Sequence, residues 1–111
     1  MNTTEKRISR LITVLDEVIS LLEWDENKHW HKTMAQAKER LQNDDLSGID
    51  ILLRSYGGMS SFNDLLIGQI TENGKFISWK DGYEEKQNAL KSLREEAYLI
   101  AKEINRENKL K

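Results

Sequence analysis

The chain has 111 residues, enough for one hydrophobic core but not two, and reads as a single domain over residues 1–111. Hydrophobic residues make up 38% and charged residues 32%, and acids exceed bases by only two, spread evenly along the sequence. Such a balance argues against a basic nucleic-acid-binding face, and the lack of cysteine excludes disulfides and thiolate chemistry.

The longest apolar runs fall far short of the roughly 20 residues that span a bilayer, and Met1–Glu5 lacks the basic start and oily centre of a signal peptide. A cytoplasmic protein with no membrane partner is therefore expected. No proline interrupts the periodic segments that follow.

Asn2 with Glu5 three residues later fits a capping box, with Thr3 and Thr4 as rival caps. Ile8, Leu11, Ile12, Leu15, Val18, Ile19 and Leu22 then recur at three- and four-residue spacing, and Val14 and Leu21 widen that stripe. A long central helix is predicted. Asp25 or Asn27 starts a second helix, with Trp30, Met34, Ala37 and Leu41 on one side. Gln42-Asn-Asp-Asp45 reads as a turn, because its side chains compete for backbone hydrogen bonds. A short third helix carries Ile49, Leu52, Leu53 and Tyr56 and ends at Gly57-Gly58.

Residues 67–79 change period. Asn73-Gly74 is a strong hairpin signal, since a type I′ turn needs positive φ at both central positions. Counting outward pairs Glu72 with Lys75, Thr71 with Phe76, Ile70 with Ile77, and Gln69 with Ser78. A lone hairpin is marginal, so this one is expected to lie on the helices. Asp81 and Glu84 cap a final long helix, whose inner face is Tyr83, Leu90, Leu93, Ala97, Ile100, Ala101 and Ile104. The fold class is thus mainly α: a compact bundle of about four helices with one small β-hairpin.

The segment Ser55-Tyr-Gly-Gly-Met-Ser-Ser-Phe-Asn-Asp-Leu-Leu66 carries the densest cluster of special residues. A glycine loop entering a helix can offer free N–H groups to an anion, but the pattern is not that of a nucleotide P-loop. The structural reading is favoured. Gly57, with Gly58 behind it, is the left-handed residue ending the third helix, and Ser61 with Asp64 forms a variant capping box. Asn63 and Asp64 stand beside Phe62, Leu65 and Leu66, so at least one is expected to turn inward. Asp64 is expected to accept backbone hydrogen bonds.

Other constellations carry less. His29 and His31 lie about 200° apart on a helix, and although Asp25 and His29 could share a face, no third metal ligand is evident. Ser60, His31 and Asp64 make a triad on paper, but no G-x-S-x-G elbow aims the serine. The pairs Asp44-Asp45 and Glu84-Glu85 read as caps. No catalytic residues, cofactor or metal are expected, and the chain reads as not an enzyme.

Tyr56-Gly-Gly-Met-Ser-Ser-Phe-Asn-Asp-Leu65 resembles a family of small, uncharacterised bacterial proteins with a signature close to Y-G-G-M-G-S-F-N-D-L. The resemblance extends roughly over residues 46–104, through Trp79 after a glycine turn and Leu93, Arg94, Ala97 and Tyr98 in the closing helix. Ser60 replaces the glycine of that signature, which implies that this position does not need positive φ. The resemblance implies a link to immunity proteins that neutralise bacterial toxins. The expected function is protein binding, with a toxin domain as partner and the exposed acids Asp44, Asp45 and Asp50 as its contact. The alternatives are a regulatory or structural adaptor, homodimeric through the last helix, and a small-ligand binder or enzyme using the Gly57–Asp64 loop.

Overall fold

The computed structural model describes residues 2–109. Its first helix, α1 (Thr3–Asp25), starts where the sequence places it: the Asn2 side chain accepts the Glu5 N–H. The helix ends on Glu26 at φ 62, and the Asn27 N–H reaches back to the Leu22 carbonyl at 3.0 Å, satisfying the last turn. Asn27 then caps α2 (Lys28–Gln42) by accepting the Trp30 N–H, so Asn27, and not Asp25, begins the second helix.

The short α3 (Ser47–Arg54) crosses α2 closely. A side chain on Gly48 would put its Cβ 2.6 Å from the Ala37 carbonyl oxygen, so only glycine allows this approach. The connection from α3 to the hairpin contains one 3-10 turn, Phe62–Asp64. Strands β1 (Gln69–Glu72) and β2 (Lys75–Trp79) follow, and α4 (Tyr83–Lys109) closes the chain.

The core is built from the predicted stripes. Leu11, Val14, Leu15, Val18 and Leu22 of α1 meet Met34, Ala37 and Leu41 of α2, and Leu90, Ala97, Ala101 and Ile104 of α4. Ile49 and Leu52 of α3, with Phe62 and Ile67 of the connection, complete it. Tyr83, Leu93 and Ile100, also expected on the inner face of α4, are half-buried at its margin. Helix α1 packs on both α2 and α4, and α3 bridges α2 and α4. Burial of the large apolar side chains among these, at about 1.5–3 kcal/mol each, is the main favourable contribution to the fold. No helix among the described residues is long and apolar enough to cross a membrane.

The hairpin departs from its expected form in two ways. Its turn is as predicted, with Asn73 at φ 53 and Gly74 at φ 77, and Glu72–Lys75 and Thr71–Phe76 are partners. Beyond them the register slips by one residue: Ile70 pairs with Ser78 and Gln69 with Trp79, leaving Ile77 as a bulge. The expected facing isoleucines do not occur. Nor does the hairpin lie on the helices, since every strand residue is exposed. It is held at its base instead. The Lys80 N–H donates to the Gly68 carbonyl at 2.7 Å, and buried Gly68, at φ 91, has no room for a Cβ beside Tyr83.

Three expected caps are also replaced. Helix α3 stops at Arg54 with Ser55 as its cap, so Gly57 (φ 107) stands two residues further on, in the loop. Ser61 precedes the 3-10 turn without a side-chain capping bond, because its backbone carbonyl already takes the Asp64 N–H at 3.0 Å. At the start of α4 the Tyr83 N–H bonds back to the Lys80 carbonyl at 3.2 Å, and Gly82 (φ 80) makes the turn; among the described residues Asp81 makes no side-chain hydrogen bond.

Candidate functional site

The glycine segment is a loop fastened to α4 by side chains. Arg94 Nη1 donates to the Leu65 carbonyl at 2.9 Å and to the Phe62 carbonyl at 3.3 Å. Gln87 accepts the Ile67 N–H at 2.7 Å and donates to the Leu65 carbonyl at 3.3 Å. Tyr56 donates its hydroxyl to the Arg94 carbonyl at 2.6 Å, and burial raises its pKa well above the usual phenol range. Burial also makes Arg94 easier to deprotonate, with the nearby Tyr56 and Asp64 opposing that shift. Phe62 is the apolar pin, touching Trp30 with ring centroids 5.3 Å apart and Tyr56 at 5.7 Å.

The loop residues singled out from sequence divide accordingly. Gly57 and Gly58 (φ 82) take conformations suited to glycine, and both are exposed. Ser60, at the position read as not needing positive φ, nevertheless stands at φ 62. Asn63 and Asp64 both face solvent, so neither turns inward, and the Asp64 carboxylate accepts no backbone hydrogen bond among the described residues. The inward polar atom is the Ser61 Oγ, buried without a partner. The accepting duty expected of Asp64 falls to Gln87 of α4, which takes the Ile67 N–H, while Arg94 holds the loop by donating to its carbonyls.

Two hollows border this loop. One, of about 600 Å³, is lined by Tyr56, Gly57, Asn63, Lys91, Arg94, Glu95 and Tyr98. The other, of about 350 Å³, lies beside Trp30 and includes Ser60, Ser61 and Asp64 but not His31. The paper triad is therefore not assembled: His31 Nε2 lies 3.0 Å from Glu23 of α1. Asp25 sits at the end of α1 and takes the Gly68 N–H at 2.7 Å, so it shares no helix face with His29. Burial raises the Asp25 pKa, while the Gly68 N–H and the Lys80 charge pull it down. Among the described residues no three His, Cys, Asp or Glu side chains gather in a metal-binding arrangement.

The acidic turn is only partly open. Asp45 accepts the Ser47 N–H at 2.9 Å and pairs with Arg40 at 3.4 Å, and the bonding to Ser47 holds its carboxyl below the usual range. Asp44, at φ 58, and Asp50, on α3, are exposed. The hairpin offers a different surface, where Ile70, Phe76, Ile77 and Trp79 are all exposed. Its aromatic rings form a row: Phe76 and Trp79 are 5.1 Å apart, and Trp79 stacks on Tyr83 at 4.4 Å and 14°.

Four helices around one core, with a bulged hairpin held out from it and a glycine loop fastened to the last helix, define the class of domain. The family described as Domain of unknown function (DUF6966) matches residues 23–78, just over half of the chain, and the chain belongs to it. The match runs from the end of α1 nearly to the end of β2 and takes in the glycine loop, the acidic turn and the hairpin; α4 lies outside it. Neither curated proteins nor solved structures gave a match.

Gly48, Gly68 and Gln87 escaped the sequence reading, and Asp25 was read as a helix start or a companion of His29, not as the acceptor of the Gly68 N–H. Each acts on a partner distant in the sequence, so local spacing held no signal for it. Arg94 was noticed only through the resemblance, not for its grip on the loop.

Proposed function

We propose that the chain is a protein-binding domain that meets its partner with the β1–β2 hairpin. The observation that carries this reading is the hairpin's exposure: Phe76 is 53% and Ile77 52% accessible, on strands that the core does not cover. Isolated exposed apolar residues are ordinary on a protein surface, but several on one projecting element with free strand edges favour a recognition role. The acidic contact expected at Asp44, Asp45 and Asp50 becomes secondary, because Asp45 is already engaged at the start of α3. The narrower role, neutralising a bacterial toxin as an immunity protein in the cytoplasm, is supported by the resemblance of Tyr56–Leu65 and by a mildly acidic balance.

The test is affinity capture from the native host, followed by measurement of the partner's affinity for variants. Phe76→Ser with Ile77→Ser is expected to abolish binding, and Asp44→Lys with Asp50→Lys to weaken it modestly and in a salt-dependent way. Full binding by the hairpin variant would remove this reading. A captured toxin whose activity the chain suppresses is the outcome expected of the narrower role.

A second reading rests on the hollow of about 600 Å³ beside Gly57. Lys91 and the Asn63 amide on its wall, against the opposing charge of Glu95 and with Arg94 already holding the loop, suit a small organic anion. Calorimetry with benzoate and inorganic phosphate separates this reading from the first.

A further inference from the structure

The bulge at Ile77 changes what the hairpin displays. In an unbroken strand, residues three apart point to opposite faces, so Phe76 and Trp79 would be separated by the sheet. With one extra residue between them, Trp79 pairs with Gln69 and turns to the face of Thr71 and Phe76. The two rings meet at 5.1 Å, and stacking of Trp79 on Tyr83 continues the row to the start of α4. Phe76 remains 53% and Trp79 38% accessible, so this row is a surface and not a satellite core.

The charges beside the row are unevenly oriented. Asp81, Glu84 and Glu85 follow Trp79 closely in the chain and are all exposed, with no ion pair among the described residues. Lys75, beside Phe76, is exposed and pairs across the hairpin with Glu72. The two bases that follow Trp79 are directed elsewhere. Lys80 Nζ donates to the Trp24 carbonyl at 2.8 Å, and Lys86 Nζ lies 5.3 Å from the centroid of the Trp24 ring. Tyr83 covers one face of Trp79. The exposed parts of Phe76 and Trp79, with exposed carboxylates close in the chain, are complementary to a planar cation that stacks on a ring while its N–H groups reach an acid.

We infer that the row Phe76–Trp79–Tyr83 receives an arginine-bearing segment of the partner protein. The inference rests on the protein-binding reading and adds the chemistry of what is bound. Arginine fits better than lysine, because guanidinium is flat, weakly hydrated and able to hold a carboxylate with two hydrogen bonds.

The test is an amide and indole NMR titration of the full chain with the peptide (Gly-Arg)4, run beside (Gly-Glu)4 and (Gly-Ile)4. The arginine peptide is expected to shift the Trp79 indole and the amides of Phe76–Glu85, and added salt to weaken it. Trp79→Ala, and separately deletion of Ile77, should each reduce its affinity roughly two- to fivefold, the range of an exposed cation–π contact. Glu84→Gln with Glu85→Gln should reduce it while the ring-to-ring NOEs persist. Equal binding of either control peptide, shifts centred on Asp44–Asp50, or no shift at all would overturn the inference. If partner capture still requires Phe76 and Ile77 while the arginine peptide does not bind, the protein-binding reading stands and only the arginine chemistry falls. If the peptide binds the row but the hairpin variant captures the partner normally, that reading falls instead.

Discussion

Ser60 occupies the left-handed region at φ 62, where a β-carbon crowds the backbone, within a loop already turned by Gly57 and Gly58. Ser60→Gly removes a strain of about 1–2 kcal/mol and adds back roughly 0.4–1 kcal/mol of unfolded-chain entropy, so the melting temperature should rise by a few degrees. A lower melting temperature would show that the serine side chain contributes more than its backbone strain takes away. Asp25 makes the opposite kind of contribution, since its carboxylate takes the N–H of buried Gly68 at 2.7 Å. Asp25→Ala leaves that donor unpaired and should cost about 1–3 kcal/mol, whereas Asp25→Asn keeps an acceptor and should cost much less. The pH dependence follows from burial raising the Asp25 pKa above its ordinary value of 3.8. A carboxyl with a raised folded-state pKa contributes most stability below that ordinary value and loses it as pH rises through the folded value. Denaturant titrations at several pH values should therefore show Asp25→Asn gaining on the wild type from acid towards neutral pH. A constant difference between the two would refute the raised pKa.

At the scale of elements, the helices were legible because each buries a stripe that recurs at helical spacing: of the α1 stripe, Leu11, Val14, Leu15, Val18 and Leu22 are buried, with Ile8, Ile12 and Ile19 half-buried at its margin. The hairpin turn was legible because Asn73-Gly74 encodes it within two residues. Its register was not. Counting outward assumes an unbroken ladder, whereas the pairing beyond Phe76 coincides with the stacking of Trp79 on Tyr83, a residue of the next element. The loop was half legible for the same reason. Its glycines announce positive φ, but the groups that fasten it, Gln87 and Arg94, lie more than 20 residues away on α4 and reach it only through the fold. The acidic turn shows the limit for site residues, since Asp44, Asp45 and Asp50 look alike in sequence and only the fold brings Asp45 onto the Ser47 N–H. Because the hairpin contributes little to the core, Phe76→Ser with Ile77→Ser should leave global stability within about 0.5 kcal/mol, as for exposed substitutions generally. A large drop in the denaturation midpoint would show that the hairpin is part of the cooperative unit, and loss of binding by that variant would then have another cause.

At the scale of the whole molecule, α4 has two unequal jobs. Along α1 it contributes buried Leu90, Ala97, Ala101 and Ile104, reinforced outside by ion pairs such as Arg10 with Glu96 at 2.7 Å. Exposed pairs of that kind are screened by water and salt and contribute little, so Arg10→Ala should change stability little. Towards the loop, by contrast, α4 offers Arg94 to the Phe62 and Leu65 carbonyls, in a half-buried position that water serves less well. Arg94→Met keeps much of the apolar stem but removes both donors, and should cost about 1–3 kcal/mol. The loss is expected to be local. The Phe62 N–H, bonded to the Ser55 carbonyl, and the Ile67 N–H, bonded to Gln87, should exchange with solvent faster, by roughly tenfold for each 1.4 kcal/mol lost. Amides along Leu11–Leu22 should keep their protection, because the α1 stripe does not depend on the loop. Equal acceleration in both regions would mean that loop and bundle open together, and Arg94 would then be a contributor to the global fold instead of a clasp on the glycine loop.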